Sequence, residues 1–106
     1  MDTNIYEVIL TDIAKEELED IYDYIYKNLC AEKAANSLMD KIERKIMLLE
    51  TNPYSCIEVC IKPHNELYRK LVVDNYVILY QVEEKYKQVI IYRALYGKRD
   101  YINFEN

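Results

Sequence analysis

The apolar residues change their spacing once, at Asn52-Pro53, and that change restricts the fold more than any other feature of the chain. Before it, Ile13, Ala14, Leu18, Ile21, Tyr22, Ile25 and Leu29 recur at helical spacing, with Glu17 the polar exception in the row. Ala34, Ala35, Leu38, Met39, Ile42, Ile46 and Leu49 repeat the pattern, and Asn52 and Pro53 stop it. Only "NLCAE" separates the two helices, so they should form an antiparallel hairpin. Thr11 or Asp12 can cap the first of them. Ahead of it, "NIYEVILT" (4–11) reads as a short strand.

Beyond Pro53 the texture is that of strands. "YSCIEVCIKPHN" is irregular or a weak edge strand broken by Pro63. "ELYRKLVV", "YVILYQVE" and "YKQVIIYRALY" are β-branched and aromatic. Asp74-Asn75 and Glu84-Lys85 fall where tight turns should join them into an antiparallel meander. The order predicts one α+β domain over residues 1–106. It is β-α-α-β-β-β, with the helical hairpin packed on one face of an antiparallel sheet.

Charge divides along the chain. Residues 1–61 carry 6 Lys/Arg against 13 Asp/Glu, whereas residues 62–106 carry 8 against 6. The net charge of −5 argues against a general nucleic-acid coat, so an anionic partner should meet the C-terminal half. Neither a secretory start nor a membrane-length apolar run is present, and a cytoplasmic protein with no membrane association is expected. Cys30, Cys56 and Cys60 are then expected as reduced thiols. Cys56 and Cys60, with His64 the single histidine, make a poor zinc site, so neither metal nor cofactor is expected. The 12 tyrosines suit half-exposed sheet faces and interfaces.

The cations of the C-terminal half cluster around the only glycine. Gly97 is followed by Lys98, Arg99 and Asp100, and flanked by Arg93, Tyr96 and Tyr101. A positive φ at Gly97 would turn Lys98 and Arg99 back over the sheet edge. Arg93 interrupts an apolar strand, so it should face the helix-free side or pair with a carboxylate such as Glu17. Arg69 alternates with Leu67 and Leu71 and should need a carboxylate partner. Tyr76 and Tyr80 are expected to pack on one face of their strand.

"YRKL" at 68–71, "YVILY" at 76–80 and "VIIYRALYGKRDY" at 89–101, in that order, resemble the RelE/ParE superfamily of type II toxin–antitoxin toxins. Arg69 and the Gly97-x-Arg99-Asp100 ending are closer to its ParE-like branch. Val77 stands where ribonuclease members keep a cation. The resemblance implies a growth-inhibiting toxin that binds a cellular target, DNA gyrase by the ParE pattern, and is neutralised by a cognate antitoxin. Its alternative is a RelE-like ribosome-dependent endoribonuclease acting on mRNA. Arg93, Lys98, Arg99 and Lys70 would bind the target or the antitoxin. For the nuclease, metal-free cleavage needs a proton acceptor, charge neutralisation at phosphate and a proton donor. Arg99, Arg69, Tyr96 and Tyr101 are the candidates for those roles. A homodimer and a hetero-oligomer with antitoxin are both open.

Overall fold

The computed structural model describes residues 5–62 and 64–98. Strand β1 (Glu7–Leu10) leads into helix α1 (Asp12–Asp23), which continues as a wider π-helical turn over Tyr24–Asn28. Helix α2 (Glu32–Met47) ends in a 3-10 turn, Leu48–Glu50. Strands β2 (Glu58–Ile61), β3 (Glu66–Val73), β4 (Tyr76–Glu83) and β5 (Gln88–Tyr96) follow.

The α+β hairpin-on-sheet arrangement is as the apolar periods imply. Thr11 caps α1, its hydroxyl accepting from the Ala14 N–H at 3.1 Å. Ala14 and Ala35 are fully buried, and their lack of bulk lets both helices lie close to the sheet. The main core joins Leu38, Ile42 and Leu49 to Val73, Ile78, Val89 and Ile91. The 54–65 stretch does supply an edge strand, β2, paired antiparallel with β3.

One feature of the sheet is not contained in the meander. The strand order is β1-β5-β4-β3-β2, and β1 runs parallel to β5, with Val8 opposite Val89 and Leu10 opposite Ile91. The helical hairpin carries the chain from β1 at one edge of the sheet to β2 at the other, and the antiparallel run from β2 to β5 brings it back beside β1. The first and last strands are therefore neighbours, and β1 ends at Leu10, so that among the described residues no strand lies beside Tyr92–Tyr96 of β5 on that side.

The second difference is a bulge. Leu79 lies opposite Arg93 and Tyr80 opposite Ile91, so Tyr92 has no partner on β4. The extra residue resets the alternation. Val89, Ile91 and Ala94 all join the helix-side core, while Leu95 joins Ile61, Val77 and Leu79 on the opposite face.

Replacing Ile91, which is fully buried, with alanine should cost about 2–5 kcal/mol. Val72→Ala, at a half-exposed position, should stay within about 0.5 kcal/mol of the parent. Urea unfolding followed by circular dichroism measures both.

Candidate functional site

By register Arg93 lies opposite Leu79, yet its guanidinium reaches Glu17 of α1. Its Nε donates to both carboxylate oxygens of Glu17 at 3.0 Å, and a terminal nitrogen adds a further bond. Glu17 also accepts the backbone N–H of Ala94 at 2.8 Å. One side chain thus neutralises the arginine and takes the place of the strand partner that β1 no longer supplies. Of the two settings expected for Arg93, pairing with Glu17 is the one observed.

Beyond this pair, α1 and the end of β5 bound an open groove of about 650 Å³. Ile21, Tyr24 and Leu29 form one wall, Tyr76 and Tyr96 the other. The Tyr76 and Tyr96 rings meet edge-on, with centroids 5.8 Å apart. Burial pushes the Tyr76 hydroxyl pKa up, and Tyr96 and Tyr24 add to the shift. Asp20 lines the groove, and among the described residues no cation pairs with it.

The helix-free face carries the opposite sign. Lys70 and Lys98 line one shallow hollow with Val72, Val77 and Gly97. Gly97 does not have the positive φ expected of it. Its N–H donates to the Asn75 carbonyl at 2.7 Å, and a Cβ at this position would lie 3.0 Å from that same oxygen. The glycine is there because β5 presses against the β3–β4 turn, where Asp74 takes the left-handed conformation with φ 53°. Arg99, Asp100 and Tyr101 lie outside the described residues.

Arg69 does not approach Arg93. It bends toward the loop before β2, donating to the Cys56 carbonyl at 2.6 Å and lying 5.0 Å from the Tyr54 ring centroid. The carboxylate it was expected to need is Glu58, opposite it across the β2–β3 pair, at 3.7 Å. Tyr80 is packing, as expected, and its hydroxyl anchors the Pro53 carbonyl at 2.7 Å. Burial pushes that hydroxyl pKa up. Of the candidate residues, Lys70 and Lys98 are brought together, whereas Arg69, Arg93 and Tyr96 occupy three separate settings.

A cluster with no signal in the sequence closes the far end of the sheet. Glu84 accepts from Tyr54 at 2.6 Å, Tyr6 at 2.8 Å and Lys87 at 2.7 Å. The Lys87 bond foremost, then those of Tyr54 and Tyr6, hold the Glu84 carboxyl down to about 2. The bond to Glu84 pushes Tyr54 up to about 12.

With this geometry in place, likeness to known proteins becomes specific. Residues 8–101 match the family described as the ParE toxin of the type II toxin-antitoxin system, parDE. The chain belongs to the ParE toxin family. The toxin fold is also similar to a solved chromosomal ParDE toxin–antitoxin system from P. aeruginosa, with a TM-score of 0.72 and 16% identity. That match covers 91% of this chain and 100% of the other. A RelBE2 toxin–antitoxin complex from Mycobacterium tuberculosis aligns at a TM-score of 0.60 and 15% identity, covering 90% and 94%. No curated protein matches the sequence. The toxin is thus a type II toxin of the RelE/ParE superfamily, on its ParE-like side. Among the described residues no helix is long and apolar enough to cross a membrane.

Glu17→Ala should cost the toxin about 1.5–3 kcal/mol, because it removes one acceptor from a half-buried guanidinium and the side-chain acceptor of a backbone N–H. Glu17→Gln, which keeps one acceptor, should cost less; denaturant titration of both variants checks the ranking. A second expectation concerns acid. The Glu84 pKa is lower folded than its ordinary 4.5, so its contribution is present above pH 4.5 and lost as pH falls through about 2. The stability gap between parent and Glu84→Gln, measured by thermal melts, should be open at pH 6 and close toward pH 2.

Proposed function

We propose that this toxin inhibits growth by binding DNA gyrase in the cytoplasm, and that a cognate antitoxin, encoded in an adjoining reading frame, silences it. The observation that carries the choice of binding over RNA cleavage is the engagement of the arginines. The Arg69 guanidinium is held by the loop carbonyls and Glu58, and that of Arg93 by Glu17. An endonuclease of this kind needs guanidinium groups directed at a phosphate, with a proton donor and acceptor around them. Here the two arginines hold the protein together, and the Tyr96 ring meets that of Tyr76 edge-on. Lys70 and Lys98 remain as surface cations on one hollow of the helix-free face. Arg99 follows Lys98 in the sequence. Such a patch suits recognition of an acidic surface.

Induction of the toxin alone in bacteria should slow growth, and co-expression of the adjoining frame should restore it. Lys98→Ala and Arg99→Ala should relieve toxicity at matched expression, whereas Lys27→Ala, on the π-helical turn, should not. Purified toxin should inhibit gyrase supercoiling and leave ribosome-bound mRNA uncut. Codon-positioned cleavage on translating ribosomes, abolished by Arg99→Ala, would establish the endoribonuclease instead.

A further inference from the structure

Among the described residues, β2 is the outermost strand at its edge of the sheet, with β3 on its one paired side. Which of its backbone groups point away from β3 follows from the register. The Lys70 N–H donates to the Ile57 carbonyl at 2.9 Å, so this pair, next to Glu58–Arg69, is a hydrogen-bonded one. Hydrogen-bonded and non-hydrogen-bonded pairs alternate along an antiparallel ladder. Val59–Tyr68 and Ile61–Glu66 are then hydrogen-bonded, whereas Glu58–Arg69 and Cys60–Leu67 are not. The N–H and carbonyl of Glu58 and Cys60 therefore point outward. Lys62, which precedes a proline and so favours extended backbone, continues the row. Among the described residues no hydrogen bond reaches these outward groups. Such a row of donors and acceptors is a template for another strand.

The side chains along the row specify that strand. The sequence Glu58-Val59-Cys60-Ile61-Lys62 is complementary to its own reverse. When it lies antiparallel to a second copy, with the two-fold axis at Cys60, Glu58 of each copy faces Lys62 of the other. Each Cys60 faces its counterpart. These are the outward residues, so all three positions are hydrogen-bonded pairs, and about six backbone bonds form. Val59 then faces Ile61 at the closer, non-hydrogen-bonded positions, as an apolar β-branched pair on the helix-free face. Other registers lose this match. An axis at Glu58 or Lys62 opposes like charges, and an axis at Val59 or Ile61 sets a charge opposite Cys60. The two charges are also available. Among the described residues Lys62 holds only the Asn65 amide oxygen, at 3.0 Å, and Glu58 only the Arg69 guanidinium, at 3.7 Å.

We infer that the free edge of β2 is a homodimer interface, through which two copies of the chain pair Glu58–Lys62 antiparallel about Cys60 and join their five-stranded sheets into one. The inference stands apart from the choice of cellular target. The two-fold axis of such a pair is perpendicular to the sheet, so both helix-free faces look the same way. The Lys70–Lys98 hollows of the two copies are then presented together on one side of the joined sheet. So short a strand from each copy makes a small interface, and association is weak and rises with concentration.

The experiment uses the full-length toxin alone. Sedimentation velocity over a wide range of concentration measures dimerisation of the parent, Lys62→Glu, Glu58→Lys and the double variant. Lys45→Glu, on α2, is the control for the same change of charge. Glu58, Lys62 and Lys45 are exposed, so the variants should fold, which circular dichroism verifies. The parent should dimerise as concentration rises, and Lys45→Glu should match it. Each single reversal at the edge should weaken the dimer by about tenfold or more, and the double variant, which restores opposite charges, should recover most of the loss. Oxidation with diamide tests the register. Two Cys60 residues opposed at about 5.5 Å between Cα atoms are within disulfide reach. Their thiols form one S–S bond, and the N=N bond of the reagent takes up the two protons and two electrons to become a hydrazine. The parent and Cys30→Ser should give a covalent dimer, and Cys60→Ser should not. A parent that stays monomeric throughout, or a dimer that ignores both single reversals, overturns the interface. A covalent dimer that survives Cys60→Ser and is lost in Cys30→Ser overturns it as well. Each of these failures leaves the growth-inhibition reading standing.

Discussion

The carboxylate of Glu17 satisfies an arginine, a backbone amide and a helix position at once, and most of the architecture is arranged around that bond. Strand β5 is shared by β1 and β4, but β1 is too short to cover it. Where β1 ends, α1 takes over the edge, and it does so through one residue set in its otherwise apolar stripe. The bulge at Tyr92 is the matching device on the strand, since it puts Ala94 on the helix side, and it is the Ala94 amide that Glu17 takes. Neither half has a use without the other. A glutamate in the apolar row of α1 would be a desolvated charge, and an arginine among β-branched residues would be another.

The two halves of this pair were legible in the sequence because each broke a pattern. Glu17 interrupted the helical stripe and Arg93 interrupted an apolar strand. The hairpin, the meander and the edge strand before Pro63 were legible for the same reason, since spacing and turn residues are local signals. What escaped is non-local. Nothing in "EVIL" announces a parallel partner more than seventy residues away. The bulge at Tyr92 leaves no mark in composition. Gly97 was legible as special, but for the wrong physical cause: a close approach of backbone to the Asn75 carbonyl, and not a left-handed φ. The Tyr6–Tyr54–Glu84–Lys87 cluster unites a buried tyrosine with three surface residues that only the sheet order brings together.

The charge division seen along the chain becomes a division in space. Acidic residues collect on the helical hairpin, and cations on the helix-free face near the end of β5. The protein thus offers two surfaces of opposite character at one end of the sheet. That arrangement fits the proposed pair of partners, a target and an antitoxin. It also explains how an acidic protein can hold a locally basic surface, since net charge does not set the local field.

The neighbourhood of the first and last strands has a consequence for how the toxin is made. Synthesis makes β1 before β5, so β1 has no partner until β5 exists, and Glu17 waits for Arg93, 76 positions later. During translation the helices and β1 therefore lack both their sheet and their key ion pair. The domain cannot close until its final strand has left the ribosome. The parallel pairing of β1 and the Glu17–Arg93 bond can thus form only once the last strand has been made.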